Sequence, residues 1–312
     1  MASPAEIRAR VASESERRSR LAVPAFGGGF LYLLSAIIVT ATLSSAPTVG
    51  LLQGLSPALL GEANPRVTPR AAEVKYISHH AFVLLAGSVL AAIAIAVVAL
   101  VLAFLFSAVR FRREETWPAG GPLALLGGAG LALLNLVHEV VRAVKTHSFA
   151  TGHDLSSHAA DRALLLAGPA SIVITTLAFL FALMLAIGMI AVMVGAMRTG
   201  LITRWLRILG IFAGVLFLPF FQSATLQLIT AFWLVATGIL FGGRWPGGEP
   251  QAWAAGEARP WPSQAELRAA KQAGRAEPAL SGAGADLAPP PAPPEPTAAG
   301  SRKRRRKRGA RR

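Results

Sequence analysis

Long apolar runs alternate with short polar segments along most of this chain. The runs lie at residues 25–45, 81–107, 122–144, 163–196, 205–221 and 224–242. A helix needs about 20 mainly apolar residues to cross the hydrocarbon core of a bilayer. The pattern therefore predicts an all-α fold, a polytopic transmembrane helical bundle with six spans. Pro219 and the polar residues 222–227 separate the last two runs, which form either a tight pair of spans or one re-entrant hairpin.

Basic residues flank these runs unevenly. The chain has 31 Lys and Arg against 16 Asp and Glu, a net charge of +15 that points to a membrane surface as partner. The basic residues concentrate in residues 1–24, after the second and fourth runs, and in residues 243–312. Because Lys and Arg mark cytoplasmic flanks, both termini are predicted to be cytoplasmic, in the plasma membrane of a bacterium. Residues 1–24 are then a cytoplasmic segment that fixes the orientation.

Residues 243–312 have the composition of a disordered tail. Pro, Ala and Gly are abundant, and few large apolar side chains remain to be buried. The tail ends in a polybasic stretch that is predicted to bind anionic lipid headgroups through Arg302, Lys303, Arg304, Arg305, Arg306, Lys307 and Arg308. No aromatic residue is interleaved with them, so no specific nucleic acid is expected as a partner.

The third run ends in a polar stretch, NLVHEVVRAVKTH, at residues 135–147. On a helix, Asn135, His138, Glu139 and Arg142 fall on one face, and the same face continues toward the start of the run as small residues such as Gly127. Small residues allow helices to approach closely, so this face is expected to point at other helices. Two interpretations remain open: an ion pair between Glu139 and Arg142 that only compensates itself, or a functional polar pocket.

All six histidines fall on the side predicted to be extracytoplasmic. His79 and His80 precede the second run and join the candidate pocket. A metal site, with zinc as the candidate ion, would draw on His138, His147, His153, Asp154 and His158. Their spacing does not match the HExxH pattern of helical zinc enzymes, and the chain has no cysteine. We therefore predict no cofactor in first place and keep zinc as the alternative.

Other polar residues fall at the same predicted level as this stretch. Thr40, Thr42, Ser171, Thr175, Thr176, Gln222, Ser223 and Gln227 belong to this set, whereas the cytoplasmic halves of the runs are nearly pure Ala, Val, Leu, Ile and Gly. The pattern favours a non-enzymatic bundle with an outward-facing polar pocket, of transporter-like, sensory or scaffold type. The alternative is a membrane-embedded enzyme that depends on a metal, or a protein that binds a metal or protons. A protein partner or a homo-oligomer is compatible with either.

Residues 20–34 read RLAVPAFGGGFLYLL and are followed by five further apolar runs. This layout resembles the uncharacterised six-helix integral membrane proteins of high-GC, actinobacterial-type bacteria. The resemblance covers roughly residues 20–242 and implies a six-helix architecture. It implies no particular chemistry.

Overall fold

The computed structural model describes residues 4–50, 61, 68–164, 168–218, 224–246 and 248–259. Within these residues the chain is helical and forms no β-strand, which confirms the predicted all-α class. The helices are α1 (Pro4–Ser44), α2 (Ala71–His79), α3 (Ala81–Arg112), α4 (Gly120–Thr151), α5 (Ser157–Leu164), α6 (Pro169–Arg198), α7 (Arg204–Leu216), α8 (Ala224–Phe241) and α9 (Gln251–Ala255).

Four of these helices are long and apolar enough to cross a membrane: α1, α3, α4 and α6. Consecutive members of this set pack antiparallel to each other. Gly28 of α1 lies against Val97 of α3, Gly128 of α4 lies against Ala99 of α3, and Gly188 of α6 lies against Ala124 of α4. The predicted multi-pass architecture is therefore confirmed for these four helices.

Closely packed glycines join α4 to α6. A Cβ atom at Gly127 would lie 2.3 Å from the backbone nitrogen of Leu185, and one at Gly188 would lie 2.4 Å from that of Ala124. Real Cβ atoms do not approach backbone atoms so closely, so the two helices are in contact only because both positions lack a side chain. The predicted packing face of the third apolar run is confirmed here.

The last pair of helices is asymmetric. α7 has 13 residues and is about 20 Å long at 1.5 Å per residue, short of a hydrocarbon core of about 30 Å. α8 has 18 residues and returns along α1, with Gly238 against Phe26. Gly214, near the end of α7, lies against Ala186 and Met189 in the middle of α6. The described part of α7 therefore flanks only one half of α6.

The two described ends of the chain meet at one end of the bundle, called here the α9 end. Arg112, at the end of α3, contacts Glu14 of α1, and Arg18 of α1 contacts Glu249 just before α9. The opposite end, called the α2 end, carries α2 and α5. There Thr68 donates its backbone N–H to the carbonyl oxygen of Leu155 at 2.8 Å. A small apolar cluster of Ala71, Val74, Phe149, Ala160 and Ala163 joins α2 and α5 to the end of α4.

Two helices fall across or beyond predicted boundaries. One helix runs without a break from Pro4 to Ser44, so the predicted N-terminal segment and the first apolar run belong to the same helix. α9 forms within the segment predicted to be a disordered tail, and Trp253 is 4% exposed there. Burial of this large aromatic side chain offsets the entropy of ordering the chain around it. The polybasic residues 302–312 lie outside the described residues, as do Gln222 and Ser223.

Candidate functional site

The polar face of α4 carries an ion pair between the buried Glu139 and the half-buried Arg142 near the α2 end. Arg142 donates to Oε1 of Glu139 twice, from Nη2 at 2.7 Å and from Nε at 3.2 Å. The two residues are one helical turn apart, as the sequence predicted. Glu139 is 5% exposed, so its charge is compensated where water is scarce.

A cavity of about 630 Å³ opens beside this ion pair. α4 contributes Asn135, His138, Glu139 and Arg142 to its wall, and we call this space the polar cavity. Polar side chains from three other helices face it as well: Ser35, Thr40, Ser44, Ser88 and Gln227. Thr40 and Gln227 thus join the site as predicted, whereas Thr42 donates its hydroxyl to the carbonyl oxygen of Ile38 within α1. The structure therefore brings four helices together around the predicted α4 face.

A second space of about 550 Å³ lies between α4 and α6 and is called here the apolar cleft. Leu131 and Leu134 of α4 face Ile174, Ala178, Phe179 and Ala182 of α6 across it. Thr175 and Thr176, both predicted for the site, line this cleft rather than the polar cavity. Asn135 and His138 line both spaces. The two spaces therefore adjoin at these two side chains.

Tight apolar packing lies between these spaces and the α9 end. Leu131, Ala132, Ile95 and Leu185 are all less than 9% exposed, and the Gly127 contact to α6 lies at the same level. These side chains offer no hydrogen-bonding groups to a polar solute. Among the described residues, the site is thus closed toward the α9 end.

The other candidate histidines lie apart from the polar cavity. Nδ1 of His80 lies 2.9 Å from the carbonyl oxygen of Tyr76, within hydrogen-bonding distance, and the His80 ring stacks on the Tyr76 ring. His79 packs edge-on against His80. Neither histidine is among the described residues that line the polar cavity. Their predicted place in the pocket is therefore not seen.

The predicted metal ligands are not brought to one point. Among the described residues, which include all six histidines, no group of three His, Asp or Glu side chains could hold a metal ion. His153 and Asp154 line a surface pocket near the α2 end with Arg162. Hydrogen bonds from Ser156, with the nearby charge of Arg162, lower the pKa of the Asp154 carboxyl below its usual value. Asp154 is thus engaged by its own loop.

The sequence did not reveal a charged network at the α9 end. The Arg112 guanidinium is fully buried; it donates to Glu14 Oε2 at 2.8 Å and to the Ala252 carbonyl oxygen at 3.0 Å. Trp253 lies beside the guanidinium groups of Arg18 and Arg112 and donates Nε1–H to the Leu201 carbonyl oxygen. The only sign of these Trp253 contacts in the sequence was the presence of a Trp within a Pro- and Gly-rich segment. The network clamps the described C-terminal segment to α1 and α3.

Comparison of this chain with known protein families, with curated proteins and with solved structures finds no match.

Proposed function

We propose that this protein is a non-enzymatic, multi-pass protein of the bacterial plasma membrane that binds a ligand in an outward-facing polar cavity. The buried Glu139–Arg142 pair carries this proposal, because its two charges lie in the wall of a cavity of about 630 Å³. A self-compensated helix end has no need of uncharged polar groups from three further helices. Buried polar groups that converge on a cavity are typical of ligand sites.

The orientation follows from the basic residues. Both described chain ends lie at the α9 end, where Arg112 and Arg18 are held by carboxylates, and Arg113 and Arg198 belong to the same end. The positive-inside rule makes this end cytoplasmic, so the polar cavity faces outward. The six-span architecture remains our proposal, with α7 and the residues after it forming the fifth span. Reporter fusions after residues 155 and 246 test the orientation: an outside signal at 155 and an inside signal at 246 are expected, and the reverse pair would refute it.

Binding, rather than transport, fits the packing below the site. A transporter needs a second conformation that opens the site to the other side. Here the backbones of α4 and α6 touch at Gly127, so opening that side requires these helices to separate. We therefore infer a receptor-like or scaffold role.

Thiol modification of the purified protein tests whether the cavity admits water. The chain has no cysteine, so a single introduced thiol is the only one that reacts. We expect His138→Cys to react rapidly with a small charged thiol reagent and Ala186→Cys, at a position 3% exposed, to react slowly. Equal slow rates in folded protein would overturn the proposed function.

The zinc alternative gains no support from the geometry of the described residues, and it stays a prediction. We also propose that the tail residues 302–308 bind anionic lipid headgroups. Truncation of residues 299–312 should weaken binding of the protein to vesicles that contain anionic lipid. Unchanged binding would remove the tail from the account.

A further inference from the structure

The polar cavity and the apolar cleft meet at Asn135 and His138. A ligand that extends past these side chains would contact charged groups on one side and aliphatic or aromatic groups on the other. We propose that the site binds an amphiphile with a zwitterionic headgroup, of the phosphatidylethanolamine type, from the outer leaflet. This inference rests on the proposed function and identifies its ligand class.

The ion pair favours a zwitterion over an ion. Both hydrogen bonds from Arg142 go to Oε1 of Glu139, which leaves Oε2 of Glu139 and Nη1 of Arg142 without a partner among the described residues. Oε2 of Glu139 can accept a hydrogen bond from a cationic group, and Nη1 of Arg142 can donate one to an anionic group. A headgroup with an ammonium and a phosphate satisfies both. A headgroup with only a negative charge would leave Glu139 facing a like charge.

The apolar cleft accommodates the other part of such a molecule. Its walls are mainly Leu131, Leu134, Ile174, Ala178 and Phe179, which match an acyl chain and offer little to a polar solute. The outer half of α6 also presents apolar surface to the outside of the bundle, with Ile172 69% exposed and Val173 57% exposed. An acyl chain in the bilayer can therefore contact the same helix that lines the cleft.

The test uses purified, delipidated protein and native mass spectrometry. The probes are a short-chain phosphatidylethanolamine, the matching phosphatidylglycerol and free phosphoethanolamine. We expect the phosphatidylethanolamine to bind about tenfold or more tightly than either of the others, which corresponds to one hydrogen bond to a charged group or to the loss of the acyl contacts. Equal binding of the two lipids, or a preference for the anionic one, would overturn the inference.

Variants show whether binding occurs at this site. Ala178→Phe fills the cleft and should weaken phosphatidylethanolamine binding about tenfold. Leu126→Phe adds an aromatic ring at a 58% exposed position of α4 and should leave binding unchanged. Ile174→Trp fills the cleft from another position if Ala178→Phe fails to fold. Unchanged lipid binding in a folded cleft variant would refute the placement of the acyl chain.

The headgroup and the proposed function are tested separately. Glu139→Leu combined with Arg142→Leu removes both charges and should abolish the difference between the two lipids. A difference that survives would refute the role of the ion pair. If His138→Cys reacts rapidly but free phosphoethanolamine binds as well as the lipid, the cavity stands and the amphiphile does not. If His138→Cys reacts slowly, the proposed function itself fails.

Discussion

Replacement of Glu14 by glutamine tests whether the network at the α9 end holds the bundle together. The Arg112 side chain is 0% exposed and that of Glu14 is 8% exposed, with 2.8 Å between Nη1 and Oε2. Glutamine has nearly the same volume, so the change removes a charge without creating a large cavity. It leaves the buried guanidinium without its counter-charge.

The magnitude follows from this burial. Removing one partner of a buried ion pair costs about 3–5 kcal/mol. Glutamine keeps an oxygen that can accept from Arg112, and the carbonyl oxygens of Ala252 and Ala108 also accept from it. We therefore expect Glu14→Gln to lower the free energy of unfolding by about 3 kcal/mol, at the lower end of that range.

The chain provides a matched control two residues away. Glu16 accepts from Arg20 at 2.6 Å, but the two side chains are 63% and 76% exposed. Glu16→Gln should therefore cost about 0–1 kcal/mol. Both variants are unfolded with increasing concentrations of a denaturing detergent, and unfolding is monitored by tryptophan fluorescence. Equal losses in the two variants would refute the argument that Arg112 depends on Glu14 for its burial.

Three further changes follow from the same packing. Gly127→Ala places a Cβ atom against the α6 backbone and should lower the free energy of unfolding by about 1–3 kcal/mol. Gly27→Ala, with no atom within 4 Å of the new Cβ, should leave the stability unchanged or slightly raised. The same unfolding titration compares the two variants, and equal effects would argue against the α4–α6 contact. Trp253→Ala should release the described C-terminal segment and make it sensitive to limited proteolysis. Trp117→Ala, at a 51% exposed position, should not. Identical digestion patterns would contradict the role of Trp253 in holding this segment. Elemental analysis of purified protein should find less than one zinc ion per chain, and one full equivalent would support the alternative of a zinc site.

The sequence predicted those features that depend on local periodicity. The long apolar runs became α1, α3, α4 and α6, and helical spacing placed Glu139 and Arg142 on one face, within reach of an ion pair. The small residues on the same wheel became the contact between α4 and α6. Each of these follows from side chains that lie within a few turns of one another.

The remaining features depend on partners that are distant along the chain. Glu14 meets Arg112 across 98 positions, and Arg18 meets Glu249 across 231. A charged residue in the sequence shows that a partner is needed, but only the packing of whole helices selects that partner. The ordered segment around Trp253 was missed for the same reason, because its composition is that of a disordered tail and its burial site is built by α1, α3 and α8.

We propose that the polar face of α4 lines a cavity that opens outward and is closed toward the cytoplasm. The most direct test is a single Gln227→Cys variant, because Gln227 reaches the cavity from α8 and the chain has no other thiol. A membrane-impermeant thiol reagent is applied to cells from outside and to inverted vesicles from the cytoplasmic face. We expect modification from outside and none from the cytoplasmic face. Modification from the cytoplasmic face, or from neither face in folded protein, would contradict it.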